Sequence, residues 1–283
     1  MILFMQKIAQ VLCSCSPDYK PMKIWTVDAF AEKAFEGNPA AVTIVQDFPS
    51  DALCQKIAAE INLPAMAFLK PLRDNHFHIR WFTPGAEAKL CGHATLASSH
   101  ILFQEEFVKG NTIAFESFSG PLFVRRDQNE IILDFPLQKT GDVLSSHLFK
   151  DLFDTGFVQA VQSDDDIIVE LRDEELVRKL NLNLSKVKEL DCRSFIVTAK
   201  GKAPYDFVSR VFHPSLGVNE DPVCGSAHCR LADYWQKKLG KDQFLAYQAS
   251  ARGGILGVNI LGDRVHIRGK AITIMEGTLR IES

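Results

Sequence analysis

The sequence predicts an α+β protein built from two similar halves, and three observations carry that expectation. A short phrase is written twice, first as Leu90-Cys91-Gly92-His93-Ala94-Thr95 and again as Val223-Cys224-Gly225-Ser226-Ala227-His228. Each copy opens a stretch with helical apolar spacing, Leu96, Ser99, Ile101 and Leu102 after the first and Leu231, Tyr234 and Trp235 after the second. Short β-branched and aromatic runs surround both helices, with no low-complexity segment between them. Two halves, each with one helix opened by the repeated phrase, is the economical reading.

In chain order, Lys23–Val27, Ala41–Val45 and His76–Phe82 read as strands by alternation and β-branched content. Asp51–Ile61 reads as a helix capped by Ser50 or Asp51, with Leu53, Ile57, Ala58 and Ile61 on its apolar face. Strands are predicted at Thr112–Phe115, Leu122–Arg125 and Glu130–Phe135 after the first repeated phrase. The polar stretch Gln138–His147 is the best junction between halves. Strands at Asp166–Leu171, Ser194–Thr198 and Tyr205–Phe212 then lead to the second phrase, and Gly257–Leu261, Arg264–Ile267 and Ala271–Ile274 close the chain. The expected domains are therefore 22–137 with the returning strand 271–283, and 138–270. Residues 1–21 are apolar at the start but lack a basic leader region, and we read them as a disordered tail or a mis-assigned start in preference to an export signal.

The 283 residues are enough for a substantial core, and the formal net charge of −3 offers no basic face for nucleic acid. Seven irregularly spaced cysteines do not form a disulfide framework, and no CxxC or HxxxH spacing marks a zinc site. Neither a GxGxxG strand–helix unit nor a P-loop is present, so no nucleotide cofactor is expected, and no metal. Reduced thiols in a cytoplasmic protein, without membrane association, are the expectation. A Cys-Gly-polar-Ala run before a helix sets a thiol beside unpaired backbone N–H groups and the positive end of the helix dipole. Such a site binds anions and favours thiolate. Two of them suit a small carboxylate ligand and the movement of a proton on and off carbon.

Several phrases resemble the phenazine-biosynthesis PhzF-like family. They are Asp28-Ala29-Phe30 with Phe35-Glu36-Gly37-Asn38-Pro39-Ala40-Ala41-Val42, Ile79-Arg80-Trp81-Phe82-Thr83-Pro84, and Leu90 through Ala97. Gly217-Val218-Asn219-Glu220-Asp221-Pro222-Val223, Arg252-Gly253-Gly254, Ile267-Arg268-Gly269 and Glu276-Gly277-Thr278 continue the match in order from Met22 to the C-terminus. The resemblance implies the diaminopimelate-epimerase-like fold: two domains, each a curled sheet around a central helix, with the site in the cleft between them. It further implies a homodimeric, cofactor-independent isomerase acting in biosynthesis on a small carboxylate-bearing substrate.

The family's proton-moving groups are a glutamate, a histidine, an aspartate and a serine, and the last three map onto His93, Asp221 and Ser226. The glutamate belongs to a phrase that here reads Asn62-Leu63-Pro64-Ala65-Met66-Ala67-Phe68, so its position is Ala65, which carries no proton. Three explanations remain open: an inactivated, binding-competent protein; another base such as Glu60 or Glu87; or the cysteines. Cys224 stands where the family usually has threonine. With Cys91 it gives the thiol pair of the related proline racemases and diaminopimelate epimerases, in which one thiolate removes and the opposite thiol returns a proton. The alternatives to PhzF-like isomerisation are thus a two-cysteine amino-acid racemase or epimerase, and a weakened ligand-binding homologue.

Backbone N–H groups at Gly92, Gly225 and Ala227 are candidates to hold the carboxylate, and Asn38 is a candidate donor to it or a support for its own turn. Asp221, before Pro222, is read as orienting His93 or a substrate amine, or as fixing the turn. His100, His228, Cys54, Cys192 and Cys229 have no motif behind them and read as packing or surface residues, and Arg252-Gly253-Gly254 reads as a turn.

Overall fold

A buried helix with sheet packed around it is the plan of each half of the protein. The computed structural model describes residues 19–153 and 156–282. These described residues divide into two compact units, one of 19–35, 39–133 and 269–282, the other of 36–38 and the described part of 134–268. Residues 1–18, which hold most of the predicted tail, lie outside the described part, whereas Tyr19 already belongs to the first strand.

In the first unit, β1 (Tyr19–Ala29) pairs antiparallel along its whole length with the last strand, Ala271–Glu282, from Tyr19↔Glu282 to Ala29↔Ala271. This pairing explains why both strands outrun their predicted spans: each supplies the backbone partners the other needs. Strand β2 (Asn38–Ile44) runs parallel to β3 (Ala65–Arg73), and the connection between them is α1 (Asp51–Ile61). The predicted helix α1 has the predicted bounds, and Ser50 caps it by accepting from the Leu53 N–H. Its Cys54, Ile57 and Ala58 pack with Met66, Phe68 and Phe82 into one apolar cluster. Strand β4 (His76–Phe82) pairs antiparallel with β3 and with the short β5 (Glu87–Ala88). Helix α2 (Gly92–Gln104) follows and is buried on nearly every side, against β1, β3 and the last strand. That burial accounts for its apolar composition around the whole circumference. Strands β6 (Thr112–Glu116), β7 (Leu122–Asp127) and β8 (Glu130–Pro136) complete the unit, β6 parallel to β4 and the rest antiparallel.

The second unit repeats that order. After β9 (Val143–Leu144) and β10 (Phe157–Ser163), β11 (Asp166–Leu171) runs parallel to β12 (Ser194–Lys200). Two short helices that the sequence reading omitted, α3 (Glu174–Lys179) and α4 (Leu184–Glu189), make the crossover. Strand β13 (Phe207–His213) pairs with β12 and with the short β14 (Val218–Asp221). It begins after Tyr205, because Tyr205 closes a turn by donating its N–H to the Lys202 carbonyl. Helix α5 (Gly225–Leu239) comes next, then β15 (Gln243–Gln248) parallel to β13, β16 (Gly254–Leu261), β17 (Arg264–Gly269) and finally the last strand, β18. The stretch Gln138–His147, read as a junction for its polarity, lies within this unit, where its polar groups find partners. Thr140 donates both its N–H and its hydroxyl to the Asp233 carboxylate.

Asp233 shows how α5 tolerates a buried charge. Its side chain is 1% exposed and faces Lys237 Nζ at 2.8 Å and Lys139 Nζ at 3.2 Å. Burial alone would raise its pKa, but these cations and the Thr140 donors outweigh it and hold the carboxyl down at about 2. A carboxyl depressed in the native state stabilises it above the unfolded pKa and loses that contribution as pH falls through the native value. Asp233→Asn is therefore expected to cost about 2 kcal/mol at neutral pH. Urea midpoints of the two proteins should converge as the pH is lowered from about 4 to about 2.

Candidate functional site

Both repeated phrases place their cysteine at the N-cap of a central helix. Cys91 and Cys224 have extended backbones, φ −142° and −108°, and neither side chain makes a capping hydrogen bond. The first N–H groups of a helix have no partner within it, so Gly92, Gly225, Ser226 and Ala227 present donors at these two helix starts.

In the first unit, Cys91 Sγ lies 3.5 Å from His93 Nδ1, and His93 is 8% exposed. Thr95 locks the phrase by donating its hydroxyl to the Cys91 carbonyl at 2.7 Å. The family glutamate position, Ala65, is the first residue of β3, wholly buried and in parallel register with Ala40. Neither nearby acid is arranged to replace it. Glu60 is exposed on α1, and Glu87 is held in a two-point ion pair with Arg80, at 2.7 and 2.8 Å.

The second unit assembles a denser group. Cys224 Sγ lies 3.4 Å from Ser226 Oγ and 3.8 Å from His213 Nε2, while Asp221 Oδ2 lies 3.5 Å from the same ring nitrogen. The His213 Nδ1–H donates to the Arg193 carbonyl at 3.3 Å, which fixes the ring with Nε2 toward the thiol and the carboxylate. Burial disfavours a charge on this ring, but its hydrogen bonds to Asp221 and Cys224 and the charge of Asp221 outweigh it and raise its pKa to about 10. His213 is thus an imidazolium at neutral pH.

The turn carrying Asp221 and Cys224 is clamped by buried amides. Gln248, fully buried, accepts from the Cys224 N–H at 2.9 Å and donates to the Asp221 carbonyl at 2.6 Å. Asn38, also fully buried, donates to Asp221 Oδ1 at 2.7 Å and to the Val223 carbonyl at 2.9 Å. Asp221 Oδ1 takes a further bond from the Val223 N–H, and Ser250 donates to the Pro222 carbonyl. Of the two roles open to Asn38, these bonds are those of a turn support. Both its amide hydrogens are spent on the turn, so it has none to offer a carboxylate. Arg252 likewise serves the fold, donating to the carbonyls of Gly37 and Glu36.

Sequence reasoning missed His213 and Gln248. His213 reaches Asp221 through a hairpin, in which β13 and β14 pair Val211↔Asp221 and His213↔Val218 across a tight Pro214–Leu216 turn. Gly217, at φ +78°, allows that reversal. The one signal in the sequence was a histidine ending an apolar strand just before a proline. The remaining thiols behave as packing groups: burial pushes Cys54 and Cys192 up to about 11 and Cys229 up to about 12. His228 is buried and held neutral, its pKa lowered by burial to about 4, with Nδ1 bonded to the Cys224 carbonyl. His100 meets Thr273 Oγ1 at 3.1 Å. No helix among the described residues is long and apolar enough to cross a membrane.

Two units, each with a buried helix entered through a Cys-Gly run and surrounded by mixed sheet, define the diaminopimelate-epimerase-like class. A hydroxyproline epimerase from Agrobacterium vitis shares the fold, with a TM-score of 0.65 at 11% identity, over 94% of this chain and 93% of that one. Within the class, the chain belongs to the PhzF-like family, whose sequence profile, described as phenazine biosynthesis-like protein, matches residues 27–277. An uncharacterised isomerase of Halalkalibacterium halodurans is 44% identical over 263 residues, covering 90% of this chain and 97% of the relative. The crystal structure of a PhzF-family protein from Enterococcus faecalis superposes with a TM-score of 0.85 at 41% identity, over 92% and 99% of the two chains.

Asn38→Leu keeps the volume but strands the Val223 carbonyl and removes a donor from Asp221. It is expected to destabilise the protein by about 2 kcal/mol. Denaturant unfolding checks this, and Asn38→Asp, which lacks both donors, should be no better.

Proposed function

We propose that the protein is a cofactor-independent isomerase that moves a proton on a small carboxylate-bearing substrate, with Cys224 as a proton carrier in place of the family glutamate. The observation that carries this reading is the grouping of Cys224 with His213, Asp221 and Ser226 at the N-terminus of α5. Cys224 Sγ has a cationic ring on one side and a hydroxyl on the other, and the helix N-terminus supplies donors suited to a carboxylate. Support also comes from the family, several of whose members bear the name isomerase. The buried alanine at position 65 makes the family's usual base unavailable.

In this reading Asp221 and the Arg193 carbonyl orient His213, His213 steadies charge at Cys224, and Ser226 hydrogen-bonds the sulfur. His93 and Cys91 form a second thiol–imidazole pair, which keeps the two-cysteine racemase reading in play. The protein acts without a nicotinamide, flavin or nucleotide cofactor, as a cytoplasmic homodimer.

The test is solvent deuterium incorporation in D₂O into amino acids and cyclic amino- or hydroxy-carboxylates, read by mass spectrometry. The native chain should exchange a Cα–H, and Cys224→Ser should slow exchange by about 100-fold. Ala65→Glu should add exchange activity, with Ala65→Gln as the control for accommodating a side chain there. A PhzF-like isomerase using another base would instead tolerate Cys224→Thr, and a racemase would lose activity equally on Cys91→Ser. Silence from the native chain and Ala65→Glu across the panel would overturn the proton-transfer reading in favour of ligand binding.

A further inference from the structure

We propose that His213, Asp221 and Cys224 form a three-ligand site for a thiophilic divalent cation, with zinc as its occupant. The inference rests on the second unit alone and gives Cys224 a role alternative to the proton carrier proposed above, since a metal-bound thiolate holds no proton to transfer. One donor atom from each of the three side chains lies within 4.8 Å of the other two. The ring nitrogen is 3.8 Å from the sulfur and 3.5 Å from the carboxylate oxygen. Tetrahedral zinc, with bonds of about 2.0–2.3 Å, sets its ligands roughly 3.3–3.7 Å apart. Two of the three edges are already near that spacing, and the third, between the sulfur and the carboxylate oxygen, lies within 4.8 Å and closes by up to about 1 Å when an ion is surrounded.

The donor set also suits the metal. Sulfur, imidazole nitrogen and a carboxylate oxygen are zinc's ordinary ligands, whereas calcium and magnesium select oxygen alone. Two anionic ligands neutralise the divalent charge. Binding releases the thiol proton and the Nε2 proton to solvent, and the ion takes their place. Three protein ligands leave a fourth position for water or a substrate oxygen.

The supporting contacts are those that metal ligands require. His213 donates its other ring N–H to the Arg193 carbonyl, which directs Nε2 into the group. Asp221 has Oδ1 held by Asn38 and by the Val223 N–H, which orients Oδ2 toward the ring. Ser226 Oγ, 3.4 Å from the sulfur, hydrogen-bonds the thiolate. Spacing rules miss such a site because its ligands come from the end of β13, the end of β14 and the start of α5 rather than from one helix or a knuckle.

The test uses the full chain with Cys13→Ser and Cys15→Ser, so that the N-terminal thiols do not contribute, after removal of metal by a chelator. Titration with Co²⁺ should give a thiolate-to-cobalt charge-transfer band saturating at one equivalent, and Zn²⁺ should abolish it by displacement. Zinc affinity, read by competition with a chromogenic chelator, should fall by at least about 100-fold in Cys224→Ser and in His213→Gln. It should fall about 10-fold in Asn38→Leu, which keeps all three ligands but loosens the turn and the orientation of Asp221. Cys91→Ser should leave both the band and the affinity unchanged, and circular dichroism should show every variant folded. Absence of the band in the parent chain overturns the proposal. So does a band that survives Cys224→Ser or disappears in Cys91→Ser, since the metal would then sit elsewhere.

Discussion

A helix buried along its length must still begin somewhere, and its first backbone N–H groups have no partner within the helix. That constraint governs both units. Each solves it by entering the helix through an extended cysteine and a glycine, with no side chain folded over the first turn. The rest of each unit can be viewed as the scaffold that holds this entry in place, by the hydroxyl of Thr95 in one and by the amides of Asn38 and Gln248 in the other.

The two units share one order of parts. A parallel strand pair with a helical crossover leads to an antiparallel partner, a short returning strand, the central helix and a further parallel strand. In the short hairpins, Ala88 pairs with Trp81 and Asp221 pairs with Val211, each three residues before its cysteine. The chemistry differs at equivalent places. The first unit puts a histidine two residues after the cysteine, whereas the second puts a serine there and brings its histidine from the preceding strand. Both cysteines thus acquire an imidazole neighbour by different routes, and the imidazole of the second lies 3.5 Å from the Asp221 carboxylate.

Much of this was legible in the sequence. Helix α1 was fixed by its cap and by the spacing of Leu53, Ile57, Ala58 and Ile61, and β4 by alternation, since both signals are local. The repeated phrase located both central helices. Strand β3 was not predicted because Lys70 and Pro71 interrupt its apolar run, and because its partners β2 and β4 supply the order that its own residues do not. Strand β18 was cut short at Ile274, since its polar outer half is held only by pairing with β1. At the site, Cys224, Asp221 and Ser226 were visible as one motif. His213 and Gln248 were not, because their proximity is created by strand pairing across a hairpin and a parallel neighbour, which no spacing in the chain encodes.

The pairing of β1 with β18 has a consequence for how the molecule is made. The ribosome delivers β1 well before β18, with the whole of residues 134–268 synthesised between them. The unit that begins first is therefore completed after the other: β1 has β2 as an early partner, but its pairing with β18 waits until residues 134–268 have been made. The other unit has a matching debt to the beginning of the chain: its Asp221 turn rests on Asn38, a residue made long before it. Each half thus holds a piece of the other's stretch of sequence, so neither can be finished as an independent product of vectorial synthesis.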